Sequence, residues 1–422
     1  MQKPPNGKKN RIKTFLSALG PGLITGASDD DPSGIATYSQ AGAQFGLATL
    51  WSALLTFPLM AAIQEMCARI GMVTCQGLTT TIRDNYPKPV LYLVLFFTLP
   101  AVVLNIGADI AGVGAVANLI FPAVPPVYFT AGFTIILMAL IIYLPYQKIA
   151  SVLKYLCLFL LLYLVVPFLS KQNWGSILHH TFIPTIHFNK EFIGILVAIL
   201  GTTISPYLFF WQATMEAEDI QHKKRKLVVN KRVIQKMGWD IDVGMLFSNL
   251  VMYFIILTAG TVLFNAGVHK IDTVEQAAKA LEPLAGKLAY FLFAAGVIGT
   301  GFLAIPVLTG SISYMLSETF GWDSGLDKKY YQAKPFYIVI IVSLIIGLGI
   351  NYIGISPIQA LIYTAILYGV TSPVLIALVL HISNNKKVMG EFTNGRLSNI
   401  LGIITLVMMT AAALVLLYFQ FF

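Results

Sequence analysis

What this chain of 422 residues has least of is charge: Asp, Glu, Lys and Arg together make up 11% of it, where an average soluble domain carries about 25%. With 57% hydrophobic residues and a mean hydropathy of +0.75, that scarcity excludes a water-soluble globular domain and marks a polytopic membrane protein. Cysteine is scarce too. Cys67, Cys75 and Cys157 lie in or beside apolar segments without metal-ligand spacing, which excludes a disulfide framework and a zinc site and leaves buried small apolar residues. The six histidines (His179, His180, His187, His222, His269 and His381) fall in loops or at a span end, and a loop offers no fixed geometry for a metal. There is no nucleophile set beside a base, no glycine-rich phosphate loop and no HExxH motif, so an enzyme is the poorest reading. The basic start, MQKPPNGKKNRIK, is not followed by a short apolar core with a small-residue cleavage site. No cleavable signal peptide is expected, and the first span serves as the insertion signal.

What is there is a series of long apolar runs. Spans fall near residues 15–42, 46–70, 89–120, 126–146, 150–170, 192–217, 239–266, 287–318, 334–352, 356–381 and 397–421, eleven in all at about 20 residues each. With the N-terminus placed in the cytoplasm, 23 Lys and Arg lie on the inner side, leaving Lys171, Lys190, Lys270, Lys279 and Lys287 outside. That imbalance is what the positive-inside rule requires, so the net charge of +9 has a topological cause and nucleic-acid binding is not needed. The densest basic run, HKKRKLVVNKR at 222–232, reads as an inner-loop orientation signal that could also attract anionic lipid.

The chain is organised around residues 20–42, GPGLITGASDDDPSGIATYSQAG. Asp29, Asp30 and Asp31, then Pro32, Ser33 and Gly34, interrupt what begins as a membrane helix. A carboxylate at that depth is costly, and proline with glycine denies the local hydrogen-bond ladder, so such a break survives only where it lines a site. The sixth span repeats the theme, with Gly201 and Pro206 beside Thr202, Thr203 and Ser205. A broken helix opening each of two five-helix sets is the signature of an inverted-repeat transporter with its site between the breaks. The expected fold is therefore an all-α polytopic membrane protein with a LeuT-like inverted repeat of five plus five helices and one extra, helices 1 and 6 broken at mid-membrane. Its expected divisions are a tail at 1–14, repeats at 15–170 and 192–381, and an eleventh helix at 397–421.

The first span, with GPG, then DPSG at Asp31–Gly34, then IATYSQAGAQFG and Trp51, resembles the natural resistance-associated macrophage protein (NRAMP) family of divalent-metal transporters, whose signature there is DPGN. QEMCARIGMVT at 64–74, NIGADIAGVGAVANLIF at 105–121 and AAGVIGTGFLAIPVLTGS at 294–311 are similar to the family's second, third and eighth helices. The resemblance implies a metal held by the aspartate and asparagine of DPGN and by the methionine of an MPH motif in the sixth helix. Asp31 keeps the aspartate, whereas Gly34 stands at the asparagine, Ser205 at the methionine and Tyr207 at the histidine. Oxygen ligands suit magnesium, calcium and manganese, thioethers suit softer ions, and magnesium keeps several waters when bound. These departures look like the NRAMP-related magnesium transporters.

The resemblance thus implies import of hard divalent ions such as Mg2+ and Mn2+, partly hydrated. Asp31 is the principal ligand, with backbone carbonyls near it and around Thr202; Ser205 is a candidate hydroxyl ligand, Asp30 is a candidate second carboxylate, and Asp29 ranks below it. Tyr207 packs beside the site, and Thr371, ahead of Pro373, is a further candidate. The family's proton relay aligns Asp109 with one acid and Gly112 with another, and no histidine lies in the broken helices, so proton coupling is not expected; Asp109 either carries a proton or pairs with a basic residue. The alternative is a proton-coupled Mn2+/Fe2+ transporter of the NRAMP type. Remoter alternatives are a sodium-coupled organic solute transporter, against which three aspartates would repel an anionic substrate group, and a divalent cation channel. No cofactor, nucleic acid or obligatory protein partner is expected beyond the lipid bilayer. The expected location is a bacterial inner (plasma) membrane with a cytoplasmic N-terminus.

Overall fold

In the computed structural model the chain is described at residues 21–144, 162–169, 172–222 and 230–421. The N-terminal tail, the start of the first span, most of the span expected at 150–170, Cys157 and most of the basic run at 222–232 lie outside the described residues.

The first broken span comprises α1 (Pro21–Asp29) and α2 (Pro32–Phe45). Then come α3 (Leu50–Thr74), the short α4 (Leu78–Asn85), α5 (Lys88–Ile120) and α6 (Pro126–Tyr143). After the peripheral α7 (Trp174–Phe182), the second broken span is α8 (Lys190–Thr203) and α9 (Pro206–His222). The remainder is α10 (Lys231–Val262), α11 (Ala289–Phe320), α12 (Lys334–Ile350), α13 (Pro357–Asn384) and α14 (Arg396–Phe421), with shorter helical turns in the links. Eight stretches, α8–α9 counted as one, are long and apolar enough to cross a membrane. The α1–α2 pair and the 17-residue α12 bring the described spans to ten.

Most ends lie close to where the apolar runs end. Proline at the first turn starts α2, α5, α6, α12 and α13, where its missing N–H costs nothing. The seventh span begins at Lys231 rather than near 239. Its first two turns are polar, and the Asn230 side chain accepts the Arg232 and Val233 amides at 3.0 and 3.1 Å, so the helix extends beyond the apolar run.

The arrangement is apolar on the outside and polar at the centre. Phe96, Ile135, Ile345 and Val407 are exposed, while Asp29, Asp30, Asp31, Asn105 and Asp109 are buried, the pattern a bilayer solvent selects. Of the spanning windows, the α8–α9 window is the most enclosed at 94% buried, and the α14 window the least at 22%, so the second break is central and α14 is an outer helix. Each broken helix packs on the helix that follows the other: α1 and α2 on α10, and α9 on α3. That exchange is what two interlocked repeats produce.

Small residues allow these approaches. A β-carbon on Gly26 would meet the Gly244 carbonyl oxygen at 2.3 Å, and one on Gly71 the Ala213 carbonyl oxygen at 2.0 Å. Gly201, expected to break the sixth span, is helical; it lets α8 and α13 touch, since a β-carbon there would lie 2.0 Å from the Ala365 carbonyl oxygen. Gly201→Ala should therefore destabilise the protein by about 2 kcal/mol through overpacking. Gly349→Ala, at a helical glycine with nothing within 4 Å of the added carbon, should not; thermal unfolding of the two variants in detergent tests the contrast.

Candidate functional site at two helix breaks

The first break is short and fully enclosed. Asp29 ends α1, Asp30 and Asp31 carry the chain across, and α2 restarts at Pro32, with Asp31 as its N-cap in extended conformation. The Asp31 carboxylate accepts the Gly34 amide at 2.7 Å through Oδ1 and the Asn105 side-chain amide at 3.0 Å through Oδ2. Asn105 is itself oriented, because its Oδ1 faces the Thr364 hydroxyl of α13 at 2.9 Å. Ser33, beside them, donates to the Leu361 carbonyl at 2.9 Å. Asp31 is 2% exposed, so each oxygen holds a fixed direction and keeps lone pairs for a cation.

The second break faces it. Ile204 and Ser205 separate α8 from α9. A β-carbon on Gly34 would lie 3.4 Å from both the Asp29 carbonyl oxygen and the Thr202 hydroxyl, and 3.3 Å from the Tyr38 ring, so Gly34 marks where the two breaks meet. Tyr207 also links them: its hydroxyl donates to the Ser28 carbonyl at 3.2 Å and its ring lies 5.8 Å from that of Tyr368. Ser205 points its hydroxyl at the Thr202 carbonyl, 2.6 Å away, and the Gly201 carbonyl, 3.1 Å away. Its proton is thereby spent on the end of α8. Thr371 turns its hydroxyl to the Leu367 carbonyl of its own helix at 2.9 Å, whereas its neighbour Ser372 approaches the Ile204 carbonyl at 3.2 Å.

The three consecutive aspartates do not act as a group. Asp29 and Asp30 turn to α10, where Ser248 Oγ lies 2.8 Å from Asp29 Oδ2 and 3.2 Å from Asp30 Oδ1. Asp30, expected as a second ligand, thus faces the same hydroxyl as Asp29 and makes no bond to the network around Asp31. Asp109 lies one helical turn along α5 from Asn105, within electrostatic reach of Asp31. Its oxygens have no side-chain hydrogen-bond partner, the Ser33 backbone being the polar group near it, and the pairing with a basic residue allowed from sequence is not found among the described residues. Gly112 adjoins the break, a β-carbon there falling 3.6 Å from Pro32 Cβ.

Among the described residues, no three His, Cys, Asp or Glu side chains converge as a metal set. A cation placed between the breaks would meet the Asp31 carboxylate and neutral oxygens, the kind of set that takes a hard or borderline ion. Sequence reasoning missed Asn105, Ser248, Thr364 and Ser372; their signal was polar residues at mid-depth of apolar runs.

Comparison with known proteins places this geometry. The profile of the family described as natural resistance-associated macrophage protein-like matches residues 22–419. The chain is 25% identical over 398 residues to the divalent metal cation transporter MntH of Caldanaerobacter subterraneus subsp. tengcongensis, covering 93% of this chain and 90% of that one. It is 24% identical over 392 residues to MntH of Klebsiella pneumoniae subsp. pneumoniae, covering 91% and 89%. Among solved structures it is similar to the Eremococcus coleocola manganese transporter in complex with an aromatic bis-isothiourea substituted compound, with a TM-score of 0.75 at 17% identity over 98% of this chain and 88% of that one. MhsT in complex with L-phenylalanine shares the fold at a TM-score of 0.66 and 12% identity, over 96% and 98% of the two chains. The architecture is that of the LeuT-like transporters, and the chain belongs to the natural resistance-associated macrophage protein (Nramp) family.

Proposed function

We propose that this chain carries a divalent metal ion across a membrane by alternating access, with the ion bound at Asp31 between the two breaks. The observation that carries the reading is the Asp31 carboxylate, held in the gap between α1 and α2 by Gly34 and Asn105 where the second break approaches. A divalent ion leaving water needs fixed negative charge to offset its lost hydration, and broken helices opposite each other supply both the charge and free carbonyls. The reading has no enzymatic step and places the protein as a multi-pass component of a plasma membrane. The two five-helix repeats at 15–170 and 192–381, with the helix at 397–421 outside them, belong to the same proposal.

Manganese comes first as cargo. The relatives are named as divalent metal cation transporters and the solved neighbour as a manganese transporter, which supports the proton-coupled Mn2+/Fe2+ alternative better than the magnesium reading put first from sequence. Magnesium stays as a second reading on one observation: glycine and serine, not asparagine and methionine, occupy positions 34 and 205, so neither break brings a thioether. Met252 Sδ, 3.6 Å from the Thr203 hydroxyl, belongs to α10. Proton coupling falls to Asp109, a buried carboxyl near Asp31 with no side-chain partner.

Asp31→Ala should abolish metal uptake into proteoliposomes while leaving folding intact, as judged by size-exclusion profile; wild-type uptake in that variant would move the site elsewhere. Asn105→Ala should weaken metal binding about tenfold, because a side chain that orients a ligand typically contributes 10–100-fold to affinity, and it should raise KM more than it lowers kcat. The paired change Gly34→Asn with Ser205→Met should shift the cadmium-to-magnesium uptake ratio toward cadmium by tenfold or more, since about 1.4 kcal/mol of differential binding is a factor of ten; an unchanged ratio in a variant that still transports would sink the ligand argument. With internal pH recorded, wild-type manganese uptake should acidify the vesicle and Asp109→Asn should carry the metal without acidification. A wild type that takes up metal at constant internal pH excludes coupling.

A further inference from the structure

Four carboxyl groups are buried around the first break. Asp29, Asp30, Asp31 and Asp109 are each at most 2% exposed, and none forms an ion pair among the described residues. They fall into two sets by direction: Asp31 is bonded to Asn105 with Asp109 nearby, and Asp29 and Asp30 converge on Ser248 of α10. The second set has an unusual feature. Ser248 Oγ lies within hydrogen-bond distance of one oxygen of each carboxylate, at 2.8 and 3.2 Å, yet a hydroxyl has one proton and can donate to only one of them. The remaining oxygens, Asp29 Oδ1 and Asp30 Oδ2, have no partner, although both residues are 99% enclosed. Carboxyl oxygens converging on one hydroxyl, with lone pairs unspent, are the kind of ligands that a hard, oxygen-seeking cation takes.

We infer that Asp29, Asp30 and Ser248 form a second cation site, on the α10 side of the first break and separate from the metal at Asp31. It takes a hard cation, either an alkali-metal ion or a second divalent ion, and its place between α1 and α10 makes the packing of α1 on α10 depend on that ion. This goes beyond the proposed function, resting on it only in taking Asp31 as the transported metal's ligand.

Equilibrium binding of radiolabelled Mn2+, Ca2+ and Na+ to the full chain in lipid nanodiscs at fixed pH tests it. Wild type should bind two cations per chain. Asp31→Asn should remove the manganese site and leave the second, and Asp29→Asn with Asp30→Asn should remove the second, whose identity follows from whether Na+ or Ca2+ fills it. Ser248→Ala should weaken the second site about tenfold and leave manganese affinity at Asp31 within twofold. One cation per chain for every ion tested overturns the inference, as does unchanged stoichiometry in the double variant, the result expected if those carboxyls hold protons only. If the double variant does not fold, Ser248→Ala decides: unchanged affinity for all three ions overturns the site. Asp31→Asn that still binds two cations, manganese included, sinks the proposed metal site and leaves this one standing.

Discussion

A peptide group freed from a helix at mid-membrane has no water to turn to, so every break in this chain has to be closed by the protein itself. At the first break the closing group is Asp31, whose carboxylate caps α2 through the Gly34 amide. At the second, hydroxyls do the work: Ser205 turns back on the last carbonyls of α8, Ser372 approaches the Ile204 carbonyl, and Ser311 reaches the Tyr207 carbonyl at 3.2 Å. The two solutions differ in charge. An acidic cap stands on one side and neutral oxygens on the other, and the Asp31 carboxylate takes its direction from Gly34 and Asn105.

Asn105 and Thr364 show how that orientation is built. Both come from long spans that are otherwise apolar at that depth, and their hydrogen bonds run from α13 through α5 to Asp31. Any movement of α1 and α2 relative to α5 and α13 must therefore break or carry along the bond that orients Asp31. Tyr207 couples the breaks in the same manner, tying the start of α9 to the end of α1 through the Ser28 carbonyl. The two breaks and the helices around them are in this way joined by a few polar contacts within a large apolar interface.

The close helix approaches impose a different limit. Glycine at positions 26, 42, 71, 201 and 369 leaves too little room for even a methyl group against the neighbouring backbone. In lipid, helices gain little from the hydrophobic effect when they associate, and packing of this kind replaces it. The small residues that read as flexibility in a sequence are therefore contact points, as Gly201 illustrates: it lies within a regular helix and marks the crossing with α13.

The sequence by itself determined the elements, because long apolar runs, proline and interrupting charge are local properties that the bilayer converts directly into spans and breaks. It also singled out Asp31 as the candidate ligand, since an aspartate followed by proline in an apolar run is costly unless it lines a site. The tertiary structure decided which polar side chains meet. Asn105, Ser248 and Thr364 are polar residues in largely apolar helices, and nothing in their neighbourhood along the chain says what they face. The three consecutive aspartates looked like one acidic group; only the fold sends Asp31 toward α5 and Asp29 with Asp30 toward α10. The physical reason is that the direction of a side chain at a helix break depends on backbone angles that packing sets, and the partners it finds lie about 75 to 220 residues away along the chain on helices whose crossings depend on glycine contacts no local pattern records.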